Sequence, residues 1–161
     1  MTKYRDRARG GALIVIVLAL VVLASACVPR PSGGPAPASG GPVNDLVNRH
    51  NGARANAGLP GFAVDPGLNG YAQFHAERLA GGGGQCNLWH SGELASWYPG
   101  HAAAENIACV GPCPSNGAAA MSMFLNSPTH VANILDGGFR YIGAGAACNG
   151  RVMFFVVHYA A

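Results

Sequence analysis

The chain carries six histidines, His50, His75, His90, His101, His130 and His158. Imidazole is the side chain most often used to bind a divalent metal or to move a proton near neutral pH. His90 follows Trp89 and precedes the hydroxylic Ser91, which makes a partly polar strand end. His130 falls in the first turn of a helix opened by Ser127-Pro128. The positive end of a helix disfavours imidazolium, and a metal requires the neutral ring. Glu105 is a lone acid in the apolar stretch AAAENIA. A buried carboxylate requires a partner, and histidine supplies one. His90, Glu105 and His130 are therefore the candidate chemical group. The two imidazoles suit a divalent metal. The carboxylate suits a general base acting on metal-activated water. The same trio also suits a buried polar network whose role is structural.

The remaining histidines have plainer readings. His50 and His75 lie on inward helix faces, where a hydrogen-bonded core imidazole is expected. His101 belongs to a glycine- and alanine-rich loop, and His158 ends an apolar strand from which the site is within reach. Other chemistries lack their signatures: there is no HExxH, GxSxG or P-loop. Ser91 is no nucleophile for His90, because adjacent strand residues point to opposite faces. Glycoside hydrolysis would need a second acid beside Glu93 or Glu105, and nothing places one there. The glycines Gly81–Gly84 follow a helix instead of preceding one, so they do not form an anion cradle.

The elements that would position these residues follow from periodicity. Val43, Leu46, Val47, His50 and Arg54 share one face of a helix predicted over Val43–Gly58, opened by Pro42 or Asn44. Asp65-Pro66 opens the next helix with an N-cap and a first-turn proline. Leu68, Tyr71, Ala72, His75 and Leu79 mark its inner face. Asn87–Ser91 and Ala104–Val110 are candidate strands. Ser115 or Asn116 caps a short helix through Leu125, and the helix begun at Ser127-Pro128 ends near Gly137-Gly138. Tyr141–Ala147 and Arg151–Ala160 are apolar runs joined through Asn149-Gly150. Asn-Gly between such runs signals a hairpin with both turn residues at positive φ. VMFFVVHY is apolar on both faces, so its sheet must be covered on both sides. The expected fold is a helix–sheet–helix sandwich.

Upstream, Lys3, Arg5, Arg7 and Arg9 precede the apolar run Ala12–Ala26, which ends in Ala24-Ser25-Ala26 before Cys27. That is the pattern of an export signal over residues 1–26. The run is shorter than the roughly 20 residues that span a bilayer comfortably. LASAC resembles a bacterial lipobox, which makes Cys27 a candidate for lipidation; the same small residues also suit ordinary signal peptidase. The formal charge of +3 lies entirely in the signal, because arginines and acids balance after Cys27. No basic patch exists to neutralise phosphates, so nucleic acid is not an expected partner. Residues 27–42, rich in proline and glycine, read as a tether, and residues 43–161 as one domain. Cys86, Cys109, Cys113 and Cys148 suggest two disulfides in an oxidising compartment. Three pairings remain open.

Four segments, in order, resemble the CAP/SCP superfamily of cysteine-rich secretory, antigen-5 and pathogenesis-related proteins. Val47–Ala80 resembles its first two helices. CNLWHSG, Cys86–Gly92, resembles the segment bearing the first site histidine, here His90. AENIA, Ala104–Ala108, resembles the GENI motif, with Ala104 in place of glycine and Glu105 as the acid. FLNSPTHVANIL, Phe124–Leu135, is similar to a bacterial motif whose histidine is His130 here. The resemblance implies a three-layer α/β/α sandwich of the α+β class, with a mainly antiparallel sheet. It also implies a cleft lined by two histidines and two acids, which in some members holds zinc. The second acid would fall at Ser127, which cannot act as a base or offset metal charge. The implied function is an exported or lipid-anchored envelope protein that binds a small ligand such as a lipid, sterol or peptide. A metal-dependent hydrolase using His90, His130 and Glu105 is the alternative.

Overall fold

The computed structural model describes residues 41–83 and 85–161. The expectations for the export signal, Cys27 and nearly all of the tether fall outside them. The elements in chain order are α1 (Pro42–Asn56), β1 (Ala63–Val64), α2 (Pro66–Gly81), α3 (Leu94–Trp97), β2 (Ala103–Val110), α4 (Gly117–Leu125), α5 (Pro128–Leu135), β3 (Tyr141–Cys148) and β4 (Met153–Ala160). The sheet order is β1-β3-β4-β2; β1 runs parallel to β3, and the other pairings are antiparallel.

Every residue of β4 is buried, as its two-sided apolar sequence requires. Met153, Phe155, Val157 and Tyr159 pack on one face with α1, α4 and α5 residues such as Leu46, Phe124 and Ile134. Phe154 and Val156 face the other way, onto Ala72, Ala76 and Leu79 of α2. Helices cover both faces of a mostly antiparallel sheet, which is the α/β/α sandwich expected.

Sequence explains how α2 comes so close. A Cβ at Gly143 would strike the backbone of Leu68 and Asn69, and one at Gly145 would strike the backbone of Gln73. With no side chains there, α2 lies directly on β3. Asn69 Oδ1 then accepts from Ala144 N (2.9 Å), and Gln73 Oε1 accepts from Ala146 N (3.0 Å). These bonds satisfy the β3 edge beyond the short β1, a row of groups otherwise open to pairing with another chain.

The caps at Asp65 and Asn116 form as residue type dictates, accepting from Leu68 N and Ala119 N. Several expectations need correction. Pro42, counted as the last residue of the tether and also as a candidate opener of the first helix, is the first residue of α1. Asn87–Ser91 is not a strand among the described residues; its polar and aromatic side chains are held from below by α2 and β2, not by a ladder. The hairpin exists, but Gly150 alone has positive φ. Asn149 instead accepts from Arg151 N and Val152 N through Oδ1, both at 3.0 Å, which closes a longer loop between Cys148 and Met153. Ser127 occupies the N-cap position of α5 without a side-chain cap bond, and α5 ends at Leu135, before the glycines. The short elements β1 and α3 carry too few residues for periodicity to reveal. The cysteines form two disulfides, Cys86–Cys109 and Cys113–Cys148. They tie the segment before His90 to β2, and the loop after β2 to the end of β3.

Candidate functional site

β2 is an edge strand, so side chains from both faces of the sheet can meet along its open side. Successive residues on it point to opposite faces. Glu105 points toward α2, in register with His158 on β4. Asn106 points toward α5. Each begins a polar network that reaches one of the candidate histidines.

On the α2 face, Glu105 Oε1 accepts from His90 Nδ1 (2.8 Å) and from the Ser91 backbone N–H (2.9 Å). Glu105 Oε2 accepts from His158 Nε2 at 2.9 Å. Tyr98 O–H lies 3.3 Å from His158 Nδ1 and donates to it. His75 Nε2 is 3.7 Å from Glu105 Oε2, but its proton goes to the Trp89 carbonyl at 2.9 Å. These assignments fix the tautomers by consistency: His90 carries its proton on Nδ1, and His158 and His75 on Nε2. The Glu105 side chain is 3% exposed and that of His90 is 65% exposed. A buried carboxylate thus grips an exposed ring from beneath.

The electrostatics agree with this layout. Burial alone would raise the Glu105 carboxyl, but the bonds from His158, Ser91 and His90 outweigh it and hold the group below its ordinary range. Burial lowers His158, against the opposing pull of Glu105, and favours the neutral ring.

On the other face the partners are neutral. His50 donates from Nδ1 to the Leu46 carbonyl (2.8 Å) and accepts from Tyr159 O–H on Nε2 (2.8 Å). Burial pushes His50 down to about 4, so it stays neutral. Tyr159 also accepts from Asn106 Nδ2 (2.9 Å), which in turn donates to the His130 carbonyl (3.1 Å). Asn133 Nδ2 donates to Asn106 Oδ1 at 2.8 Å. The start of α5 is thereby pinned to β2 through main-chain and amide groups. The His130 ring meets the Phe124 ring edge-on at 5.1 Å. Burial, and then the neighbouring His90, keep His130 below its ordinary value. His130 Nδ1 is buried without a hydrogen-bond partner.

His90 and Glu105 are thus in direct contact, and His130 is electrostatically coupled to His90. Ser127 is not drawn in: its hydroxyl pairs with Thr129 Oγ1 at 3.1 Å. Sequence reading missed Asn106, Tyr159 and Tyr98, and gave His75 and His158 lesser roles. The register of β2 against β4 carries the missing signal, because it sets His158 opposite Glu105. No described group of three or more histidines, cysteines or acids is arranged to hold a metal. His90 and His130 would form a two-residue set completed by water. The fit is favourable on two counts: His90 Nε2 has an unprotonated lone pair on an exposed ring, and His130 has a buried nitrogen without a partner. Surface cavities also open among the described residues. One, of about 620 Å³, is lined by Gln85, Cys86, Asn87, Arg151 and Val152. Another, of about 180 Å³, includes Asp65, Tyr98, His101 and Tyr141.

No curated protein matches the sequence significantly. Solved structures do share the fold. An outer surface protein of Borrelia burgdorferi has a TM-score of 0.59 at 17% identity, over 71% of this chain and 88% of that one. An extracellular SCP-domain protein of Bacillus anthracis has a TM-score of 0.55 at 24% identity, over 73% of this chain and 39% of that one. NaASP2, solved with Zn2+, has a TM-score of 0.56 at 13% identity, over 72% of this chain and 77% of that one. At these identities the likeness is one of fold. The family model for cysteine-rich secretory proteins matches residues 47–159, a span that takes in His90, Glu105, His130 and His158, and the chain belongs to that CAP family.

Proposed function

We propose that this CAP domain is an exported binding module whose site holds a divalent metal, zinc foremost, between His90 and His130. One observation carries the reading: Glu105 accepts a hydrogen bond from His90 Nδ1–H and leaves Nε2 free on an exposed ring. A carboxylate behind a histidine fixes the ring's tautomer and raises its basicity as a ligand. The zinc-bound fold neighbour NaASP2 supports the choice of metal. When bound, the ion would supply a Lewis-acid centre with positions open to a ligand atom. The organic ligand expected beside it is small, a lipid, sterol or peptide. The expected N-terminal export signal, with Cys27 as the candidate lipid attachment point, supports a role for this module at the cell envelope.

Binding is favoured over hydrolysis. Both oxygens of Glu105 accept from protein donors and its side chain is buried, which places the carboxylate poorly for activating a water. Ser127 adds no second acid. Calorimetric titration of zinc into the purified protein at neutral pH tests the reading. About one ion per chain is expected, with affinity reduced roughly tenfold or more in His90→Ala and in His130→Ala. Absence of binding, or binding that survives both substitutions, defeats it.

A further inference from the structure

His90 is exposed, and among the described residues its only hydrogen bond is to Glu105. The orientation of this ring therefore depends on how firmly Glu105 is held. Oε1 is shared between His90 and the Ser91 N–H. Oε2 has one donor within hydrogen-bond distance, His158 Nε2. His75 stands farther off and gives its proton to Trp89. His158 is fully buried on the central strand, with Tyr98 O–H on its opposite nitrogen and the Trp97 ring 5.7 Å from its own. The ionised Glu105 can only accept, so His158 Nε2 must carry the proton and Nδ1 accepts from the Tyr98 O–H. Each proton position in the chain Tyr98–His158–Glu105–His90 dictates the next.

We infer that His158, backed by Tyr98, is a positioning residue for the site: through Glu105 it locks His90 in the Nδ1–H tautomer with Nε2 directed outward. Its consequence for zinc rests on the function proposed above, but the tautomer does not. Without a donor at position 158 the carboxylate is free to turn about its last bond. The exposed imidazole then takes up the mixture of tautomers that water allows.

Long-range proton–nitrogen NMR of histidine-labelled, metal-free protein at pH 7.5 reads the two rings directly. In the unsubstituted protein His90 is expected as Nδ1–H and His158 as Nε2–H; the opposite tautomer at either ring overturns the inference, and this needs no variant to fold. In His158→Met, which keeps length but cannot donate, His90 is expected to lose its single tautomer. His158→Gln, whose amide can donate to Glu105, is expected to restore it. Zinc affinity should follow, falling about tenfold in the Met variant and recovering in the Gln variant. A purely structural His158 would leave the His90 tautomer unchanged in a folded Met variant, and that result overturns the inference. Should the tautomer shift while no variant, nor the parent, binds zinc, the relay stands and the metal reading falls.

Discussion

His158 and Tyr159 are neighbours on β4, yet they organise different kinds of polar network on opposite faces of the sheet. His158 works through a carboxylate that three donors share. Tyr159 works through a phenol and two amides, and its chain ends on the main-chain oxygen of His130. The difference lies in what each network grips. The charged one holds a ring nitrogen, so it sets the tautomer and direction of His90. The neutral one holds backbone, so it sets where α5 begins and leaves the His130 ring to packing against Phe124. Hydrogen bonds to an ionised group are roughly twice as strong as neutral ones. The exposed histidine is the one given the stronger hold.

Removing the hub of each network should expose that difference. Glu105→Ala leaves two imidazole N–H groups and the Ser91 amide without their acceptor. A loss on the order of 4 kcal/mol is expected, as for one partner removed from a buried charged cluster. Tyr159→Phe deletes one hydroxyl and leaves His50 Nε2 and Asn106 Nδ2 short of a partner, at about 2 kcal/mol. Urea denaturation of both variants measures the two. Equal losses would mean that the charge on Glu105 gives its network no advantage.

Acid should separate the faces in order. Free imidazole takes a proton below 6.5, whereas folded His50 resists until about 4. In that interval the unfolded chain binds the extra proton, so stability falls as pH falls. The His50 contribution is complete above 6.5 and is lost progressively toward 4, by about 3 kcal/mol. His158, lowered in the same direction, adds to the slope. Glu105 acts in the same sense but at lower pH: its folded value also lies below the unfolded one. Its contribution persists through this interval and disappears only as pH drops below the usual carboxylate range. Melting temperatures of the parent and of His50→Gln, measured from pH 7 to 4, should diverge in slope; parallel curves would show that His50 does not titrate as its burial dictates.

Much of this arrangement was legible in the sequence, for a physical reason that also marks its limit. Helix faces, the Asp65 cap and the two-sided apolar β4 are local, and each follows from a few residues of spacing. Glu105 stands out because a lone acid in AAAENIA demands a partner, and His90 and His130 because each sits at the polar end of an element. His158 and Asn106 were not assigned to the site, because their roles depend on register across strands far apart in the chain. Asn106 sits beside Glu105, but no local rule says that it faces the other layer's histidine. The turn at Asn149 was misread for a related cause. The asparagine side chain can bond the loop backbone as readily as its own backbone can adopt positive φ.

Ser127 gives the smallest expected effect and the finest test of the neutral face. A serine at an N-cap usually contributes about 1 kcal/mol by accepting from the first turn. Here it makes no such bond, and its hydroxyl turns to Thr129. What holds the first turn of α5 is the Ser127 carbonyl on Val131 N at 2.9 Å, Pro128 at the first helical position, and Asn106 on the His130 carbonyl. All three survive Ser127→Ala. The substitution should therefore cost less than about 0.5 kcal/mol and leave zinc affinity within about twofold, by the standing of a group that touches neither histidine. A loss of a full cap's worth in denaturation would show that the hydroxyl closes on the helix in solution, and the hold on His130 would then begin at Ser127 instead of at Asn106. A fall in zinc affinity without loss of stability would instead place the hydroxyl within the site.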